Sequence, residues 1–332
     1  MAGIASGELS RLGQAAGTGD DLALFLKVFS GEVLTAFETA NVMMPLHTVR
    51  TITEGKSAQF PVIGSTTADY FTPGEDIFLD DSAGGGDYLS QPHHNERVIA
   101  IDDLLISSVF VDQLDEMRNH YDVRGPYAKE LGRALATTVD KQLLKLIGLA
   151  SEASAASPQG AGGGSAGALT NADVVGSAIV DTMFTLAENF DEADCPKEGR
   201  YVILQPAGYY NLIRAAGTNG TIFADRDFGG GGNAATGQTF QVAGITPLMS
   251  NHINPAGDPP TAGVQSPNDY SYTDTNAVGY AFHTSSVGTV KLMDLQMEME
   301  YIINRQGHLM VAKMAVGHGI LRPEVCFALK TA

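Results

Sequence analysis

The stretch RNHYDVRGPYAKELGRALATTVDKQLLKLIGLA, from Arg118 to Ala150, decides the fold because most of it has the pattern of one long helix. Its apolar residues recur every four positions, as one face of an α-helix requires. They are Leu131, Leu135, Val139, Leu143 and Ile147. We predict a helix from Pro126 to Ala150, about 37 Å long at 1.5 Å per residue. Arg133 and Asp140 are among the charged residues that fall mostly on the opposite side.

A second strong pattern lies near the end of the sequence. Apolar and polar residues alternate from Leu295 to Ile303 and again from Met310 to Val316, which indicates two strands. Asn304 to Gly307 has turn composition, so we predict a β-hairpin with one face made for packing. We expect the apolar face of the long helix to pack on this hairpin and its charged face to point toward solvent or another subunit.

Composition limits the function classes. The chain has 332 residues, 44% of them hydrophobic, which is enough for about two domains with a real core. Its net charge of −18 disfavours ordinary nucleic-acid binding, since phosphate would be repelled. Its two cysteines, Cys195 and Cys326, cannot form a disulfide framework. We expect no signal peptide and no transmembrane helix, because no suitable apolar run occurs.

Residues 46–101 differ from the rest of the chain and have no core of their own. We predict a strand at 48–53, a turn at 54–57, a returning strand at 58–63 and a further strand at 97–101. A long two-stranded excursion is marginal alone and needs support from elsewhere. This region is therefore the strongest indication of an obligate assembly.

The remaining segments suggest an N-terminal helix and a compact α+β region. Leu22, Phe25, Leu26, Phe29, Val33 and Phe37 predict an amphipathic helix that ends at about Thr39. We predict a helix from a cap at Thr170 to Phe190, a strand at 201–204, a short helix at 209–213 and two short strands in 238–250. Segments 151–168, 217–237 and 254–276 have loop composition, and the last is expected to be exposed.

No catalytic or metal-binding constellation occurs. Gly55-Lys56-Ser57 lacks the upstream glycine of a phosphate-binding loop, and the acidic run at 191–194 is most simply a solvated charge cluster. His93 and His94 are adjacent and would point opposite ways in an extended segment. His318 has the surroundings of a structural histidine, and the acidic stretch around Cys195 would raise rather than lower the pKa of its thiol. We expect no cofactor, no metal and no enzyme activity.

Several stretches resemble the major capsid proteins of T-seven-like short-tailed bacteriophages, in the same order along the chain. They are Leu22 to Phe37 (LALFLKVFSGEVLTAF), Gly55 to Val62 (GKSAQFPV), Asn119 to Arg124 (NHYDVR), Ser286 to Leu292 (SVGTVKL) and Gly317 to Glu324 (GHGILRPE). The departures lie in residues 76–92, 151–170 and 217–275, which the composition assigns to loops. The resemblance therefore bears on the fold more than on surface detail.

The resemblance implies an α+β fold of the Hong Kong 97 type found in tailed-phage capsids. Such a fold has an N-terminal arm, an extended β loop, a peripheral domain with a long spine helix and a β-sheet, and a compact axial domain. Mapped onto this sequence, the arm is 1–46, the extended loop 47–101, the peripheral domain 102–169 with 286–313, and the axial domain 170–285 with 314–332. The spine helix is then 126–150.

The resemblance also implies partners. Such subunits assemble with themselves as pentamers and hexamers, with a scaffolding protein and a portal, into an icosahedral shell that encloses double-stranded DNA. Assembly takes place in the host bacterial cytoplasm and no membrane is involved. We expect the intersubunit contacts to include Lys56, Phe60, Arg50, Glu54, Arg97, Phe25 and Phe29. Some related chains cross-link covalently through a loop lysine, but we interpret Lys56 as a salt-bridge donor or a solvated turn residue.

Two other functions remain open from the sequence. The same fold could form a protein nanocompartment that encloses cargo enzymes instead of a genome. A soluble enzyme with a discontinuous site is a less favoured alternative. Assembly would separate the enzyme from both shells, and packaged DNA would separate a capsid from a nanocompartment.

Overall fold

The computed structural model describes residues 41–63, 94–113, 124–153, 169–170, 178–218, 241–253 and 276–330, with isolated residues at 66–77 and 268–272. The predicted N-terminal helix, with Phe25 and Phe29, lies outside the described residues. So do nearly all of segments 151–168 and 217–237.

The described helices are α1 (Arg124–Ser151), α2 (Ala178–Glu192) and α3 (Pro206–Thr218). The described strands, in chain order, are β1 (Thr48–Thr51), β2 (Ser57–Ile63), β3 (His94–Ala100), β4 (Leu105–Asp112), β5 (Leu169–Thr170), β6 (Arg200–Leu204), β7 (Thr246–Met249), β8 (Ala277–His283), β9 (Val287–Ile302), β10 (Gly307–Ile320) and β11 (Cys326–Lys330).

The long helix α1 confirms the prediction from its four-residue spacing. It has 28 residues and extends past both predicted ends by one or two positions. All five residues of the predicted apolar face are at most 3% exposed. Helix assignments commonly differ by one or two residues at each end, so the bounds agree within that margin.

A four-stranded sheet carries α1 on one face. Its strand order is β1-β9-β10-β4, and β9 and β10 form the predicted hairpin around a turn at Ile303–Arg305. Both strands are longer than predicted. The start of β9 was missed because Val287 to Val290 are all buried and show no alternation of buried and exposed positions. Leu135 and Val139 of the helix share one core with Met310 and Ala312 of the hairpin, as expected.

A five-stranded sheet, with strand order β5-β11-β8-β6-β7, continues the same core. The far end of α1 packs on it, since Leu143 and Ile147 share the core with Tyr280 and Ala328. The helix is therefore common to both sheets, which is more than the predicted packing on the hairpin alone.

A second core lies under α2 and α3. Ile179, Met183, Leu186 and Phe190 of α2 are all at most 3% exposed and pack with the strands of the five-stranded sheet. The strand at 200–204 and the helix after Pro206 also confirm the sequence pattern. Thr170 was wrongly assigned as a helix cap: it lies in β5, opposite Lys330 of β11.

The extended region departs from the predicted pairing. The turn at 54–57 does not join β1 and β2 into a hairpin. Strand β1 pairs in parallel with β9, from Thr48 opposite Gly288 to Thr51 opposite Lys291. Strand β2 pairs instead with β3 in an antiparallel two-stranded ribbon, which we call the ribbon. The root of the excursion is therefore part of the four-stranded sheet.

Candidate subunit interface

The ribbon, formed by β2 and β3, extends from the four-stranded sheet with little core of its own. At its root Ala58 and Ile99 are buried and pack with Val290 of β9. Farther out, Ile63 is 65% exposed and Val98 is 50% exposed. An isolated two-stranded sheet is marginally stable in water, so such a ribbon is suited to lie against another surface.

Two arginines and one aromatic ring form a patch on the ribbon. Phe60 lies directly opposite Arg97 in the ladder. The Arg50 guanidinium carbon stands 5.6 Å from the centre of the Phe60 ring, and Arg50 Nη1 donates a hydrogen bond of 3.0 Å to the Gln59 carbonyl oxygen. Arg97 Nε is buried and has no hydrogen-bond partner among the described residues. We call Arg50, Phe60 and Arg97 the basic patch.

The basic patch has the chemistry of an acceptor site for carboxylates. Two guanidinium groups provide donors in a fixed planar arrangement, and the ring provides an apolar surface between them. The chain as a whole carries a net charge of −18, so an acidic surface is available on any second copy. Three of the seven predicted contact residues therefore lie together.

The other predicted contact residues lie elsewhere. Glu54 and Lys56 are exposed in the turn before β2, where Gly55 has a φ of +111° that favours glycine. The Lys56 carbonyl oxygen accepts a hydrogen bond of 2.9 Å from the Ile101 N–H, which closes the root of the ribbon. Phe25 and Phe29 lie outside the described residues, so their predicted contacts stay predictions.

A buried chain of polar groups, which the sequence did not reveal, supports the ribbon root. His47 Nδ1 donates to the Met43 carbonyl oxygen at 2.8 Å, and His47 Nε2 is therefore the acceptor for the Thr289 hydroxyl at 2.5 Å. Thr289 Oγ1 in turn accepts from His318 Nδ1 at 2.8 Å. Burial lowers the pKa of His318 to about 3, and burial also lowers the pKa of His47. Both histidines are therefore structural and neutral.

Tyr270 joins this region to a segment predicted to be an exposed loop. Its hydroxyl donates to Asp102 Oδ2 at 2.6 Å and accepts from the His318 main-chain N–H at 3.1 Å. Burial, more than the nearby Asp102 carboxylate, raises the pKa of Tyr270. Tyr270 and Tyr272 are only 4% and 7% exposed, so the prediction of an exposed 254–276 loop is wrong at these two positions. The aromatic residues of this segment were the sequence feature that could have predicted its partial burial.

The prediction that the charged face of the long helix points away from the core is wrong at Asp140. Its carboxylate is completely buried and accepts hydrogen bonds from the Val42 N–H at 2.9 Å and the Met43 N–H at 3.2 Å. His252 Nδ1 lies 3.0 Å from the same carboxylate. Asp140 therefore holds the chain before β1 against the middle of α1, instead of facing solvent.

The acidic run at 191–194 is not simply a solvated cluster. Asp191 Oδ1 accepts a hydrogen bond of 2.7 Å from the buried Arg200 guanidinium, which lowers the pKa of Asp191. Arg200 also donates to the carbonyl oxygens of Cys195 and Pro196 and lies over the Phe190 ring. These contacts anchor the loop between α2 and β6.

The described part of the chain offers no metal-binding group. No cluster of three histidine, cysteine or acidic residues that could hold a metal ion occurs among the described residues. Cys195 and Cys326 are free and buried, and burial raises the pKa of each thiol, to about 12 at Cys326. Among the helices that the structure describes, none is long and apolar enough to cross a membrane.

Comparison with known proteins identifies the family. The sequence profile of Gp10A-like major capsid proteins matches residues 59–330, which include all three described helices and every described strand except β1 and the first two residues of β2. The chain belongs to this family. It is similar to the major capsid protein of Escherichia phage T7, with 34% identity over 99% of both chains. It is equally similar to that of Enterobacteria phage T3, with 35% identity over 99% of this chain and 98% of the relative.

A solved structure supports the fold assignment. The capsid protein in the capsid structure of the cyanophage P-SCSP1u is 37% identical and has a TM-score of 0.72, with 88% of each chain covered. The α+β tailed-phage capsid fold that the sequence resemblance implied is therefore confirmed. A major capsid protein joins copies of itself, and the ribbon with its basic patch is a candidate for a surface that does so.

Proposed function

We propose that this Gp10A-like protein is the major subunit of an icosahedral capsid, in which copies assemble as pentamers and hexamers around double-stranded DNA. The observation that carries the proposal is the ribbon. The ribbon exposes Ile63 and Val98, Arg50 of β1 is exposed beside it, and the chain belongs to a family of major capsid proteins. A surface of this kind is completed by a neighbouring copy. Obligate interfaces of this type commonly exceed the standard size of about 1,600 Å².

The basic patch is the proposed centre of the contact between neighbouring subunits. Arg50 and Arg97 would bind carboxylates of the adjacent copy, and Phe60 would pack on its apolar surface. Glu54 and Lys56 would form ion pairs at the edge of the same contact. Buried charge pairs with a fixed guanidinium geometry contribute more to register than exposed lysine pairs do.

The proposed division of the chain corresponds only in part to the two sheets, because β1 and the end of β10 also belong to the four-stranded sheet. The arm comprises 1–46, the extended loop 47–101, the peripheral domain 102–169 with 286–313, and the axial domain 170–285 with 314–332. The four-stranded sheet and the first half of α1 support the peripheral domain, and the five-stranded sheet with α2 and α3 supports the axial domain. Strand β10 crosses the proposed boundary at 313–314, and its pairing with β9 shifts register there, between Lys313 and Val316.

The proposed partners follow from the role. A scaffolding protein and a portal would act during assembly in the host bacterial cytoplasm, and the finished subunit would be part of the virion. DNA would be enclosed without sequence-specific binding. The net charge of −18 favours a wall that holds DNA weakly, which would ease packaging and ejection. The subunit would act as a container without enzyme activity or a cofactor.

Substitutions in the basic patch test the proposal. Phe60→Asp and Arg97→Glu should reduce shell assembly at least tenfold in the presence of the scaffolding protein, measured by sedimentation and electron microscopy. Phe60→Leu is the matched control, since it keeps an apolar side chain, and it should assemble normally. The unfolding midpoint of the unassembled subunit is measured for all three variants, because Phe60 packs partly against the buried residues of the ribbon root and loss of folding has to be separated from loss of the contact. Normal shells from both charged variants would contradict the proposed contact.

A further inference from the structure

The inner face of the four-stranded sheet is unevenly covered. Helix α1 lies over its centre, where Met310, Ala312 and Met314 of β10 are at most 2% exposed. On β9, Met299 is paired with Met310 and Met297 with Ala312, so these side chains lie on the same face. Yet Leu295, Met297 and Met299 are only partly buried. A row of apolar side chains therefore lies beside the helix with incomplete cover.

The chain enters the described structure on this same side. The first described residues are held at Asp140 in the middle of α1, through the main-chain N–H groups of Val42 and Met43. His47 then contacts Thr289 of β9, and β1 continues as the parallel neighbour of β9. Val42, Met44 and Leu46 are themselves partly buried against the core of α1 and the hairpin. The described part of the chain therefore starts on the β9 side of the helix.

The preceding segment has a matching pattern. Leu22, Phe25, Leu26, Phe29, Val33 and Phe37 form one apolar face at helical spacing, and this face needs a partner. Only three residues lie between Phe37 and Asn41, so the two are at most about 14 Å apart when the chain is fully extended. We propose that residues 22–37 dock as a helix along the β9 side of the inner sheet face of the same chain, on Leu295, Met297 and Met299.

The dimensions and charges agree with this occupant. A 16-residue helix is about 24 Å long, and the uncovered part of β9 from Met293 to Ile302 is about 30 Å long. The segment around the apolar face carries Asp20, Asp21, Glu32 and Glu38 against a single lysine, Lys27. Lys129 and Arg133 are exposed on the first half of α1, where Arg133 forms an ion pair with Glu130 at 3.7 Å. The docking is within one chain and does not depend on assembly.

Methionine oxidation in the unassembled full-length subunit provides the first test. If the segment covers β9, Phe29→Asp should increase the oxidation rates of Met297 and Met299 several-fold. The buried Met310 and Met314 serve as internal controls and should stay slow, which distinguishes loss of docking from unfolding. Lys27→Asp alters the opposite side of the predicted helix and should leave all four rates unchanged. Equal rates for Met297 and Met299 in the parent and in Phe29→Asp would overturn the proposal.

Photo-cross-linking identifies the occupant. We would place p-benzoylphenylalanine at Met297 and, as controls, at Glu298 on the outer face and at Val109 on the β4 side of α1. In a mixture of ¹⁵N-labelled and unlabelled chains, Met297 should link to residues 22–39 of the same isotopic composition, and the control positions should not. Links of mixed composition would assign the site to the arm of a second copy. That result, a link to another segment, or no link to 22–39 would each refute docking within the chain.

Discussion

At the scale of single residues, the sequence misplaced the polar groups that matter most to the packing. Helical spacing put Asp140 on the outer side of the long helix, since charged residues are rarely buried. Its burial is offset by two main-chain N–H groups that lie 97 and 98 positions earlier in the chain. No local pattern reveals such a partner. His318 was predicted as a structural histidine and its burial agrees with this, but its partner Thr289 lies 29 residues away on the neighbouring strand and could not be predicted for the same reason.

Removal of the Asp140 carboxylate should therefore be costly. Asp140→Ala leaves the N–H groups of Val42 and Met43 buried without an acceptor, and we expect a loss of about 3–5 kcal/mol in the free energy of unfolding. Urea unfolding of the unassembled subunit measures this. Glu130→Ala is the matched control on the same helix, because Glu130 makes only an exposed ion pair with Arg133 at 3.7 Å. The control should change stability by less than about 1 kcal/mol. Equal effects of the two substitutions would show that Asp140 holds nothing in place.

The buried histidines should make the subunit sensitive to acid. The folded state keeps His318 neutral down to about pH 3, whereas the unfolded chain takes up a proton as the pH falls below 6.5. His318 therefore leaves the free energy of unfolding at its full value above pH 6.5. Below this pH it makes the free energy of unfolding decrease toward pH 3, by up to about 1.4 kcal/mol per pH unit. His47, whose pKa is also lowered, acts in the same direction.

Unfolding measured between pH 6.5 and pH 4 checks this pH dependence. His318→Asn keeps a side-chain nitrogen for Thr289 but cannot take up a proton, so the free energy of unfolding should vary less steeply with pH. His94→Asn changes an exposed histidine of the ribbon and is the control, with an unchanged slope expected. An identical slope for His318→Asn and the parent chain would show that His318 is not the group responsible.

At the scale of elements, the sequence predicted what local periodicity determines. The four-residue spacing gave α1, and the two-residue alternation gave the outer part of the β9–β10 hairpin. Local periodicity did not predict the pairing partner of β1, because the turn at 54–57 suggested a local hairpin with β2. The observed partner, β9, is some 240 residues later in the chain. Its buried first residues also lack the alternation that would have predicted a strand there.

The contact of α1 with both sheets can be tested by shortening one buried side chain. Leu143 is completely buried where the helix contacts the five-stranded sheet, so Leu143→Ala should reduce the free energy of unfolding by about 2–5 kcal/mol. Leu292→Ala is the control, since Leu292 is 38% exposed on the outer face of the other sheet, and its effect should stay below about 1 kcal/mol. Two separate unfolding transitions, instead of one shifted transition, would contradict a helix shared by both sheets.

At the scale of the whole molecule, the sequence anticipated the family. The α+β capsid fold is confirmed by the family match over 59–330 and by the cyanophage capsid structure. Within the candidate interface, the residues Arg50, Phe60 and Arg97 were predicted one by one, and the structure brings them together. Their common location depends on the β2–β3 register, which the sequence alone did not establish. Which surface of a second copy they contact is a property of the assembly.

Electron microscopy of the full chain, produced together with its scaffolding protein, tests the central claim most directly. We expect closed icosahedral shells built from pentamers and hexamers of this chain, with each ribbon in contact with a neighbouring subunit. DNA inside particles from infected cells would distinguish a capsid from a nanocompartment. Monodisperse monomers that never assemble, under conditions in which the scaffolding protein is present and the subunit is folded, would contradict the account.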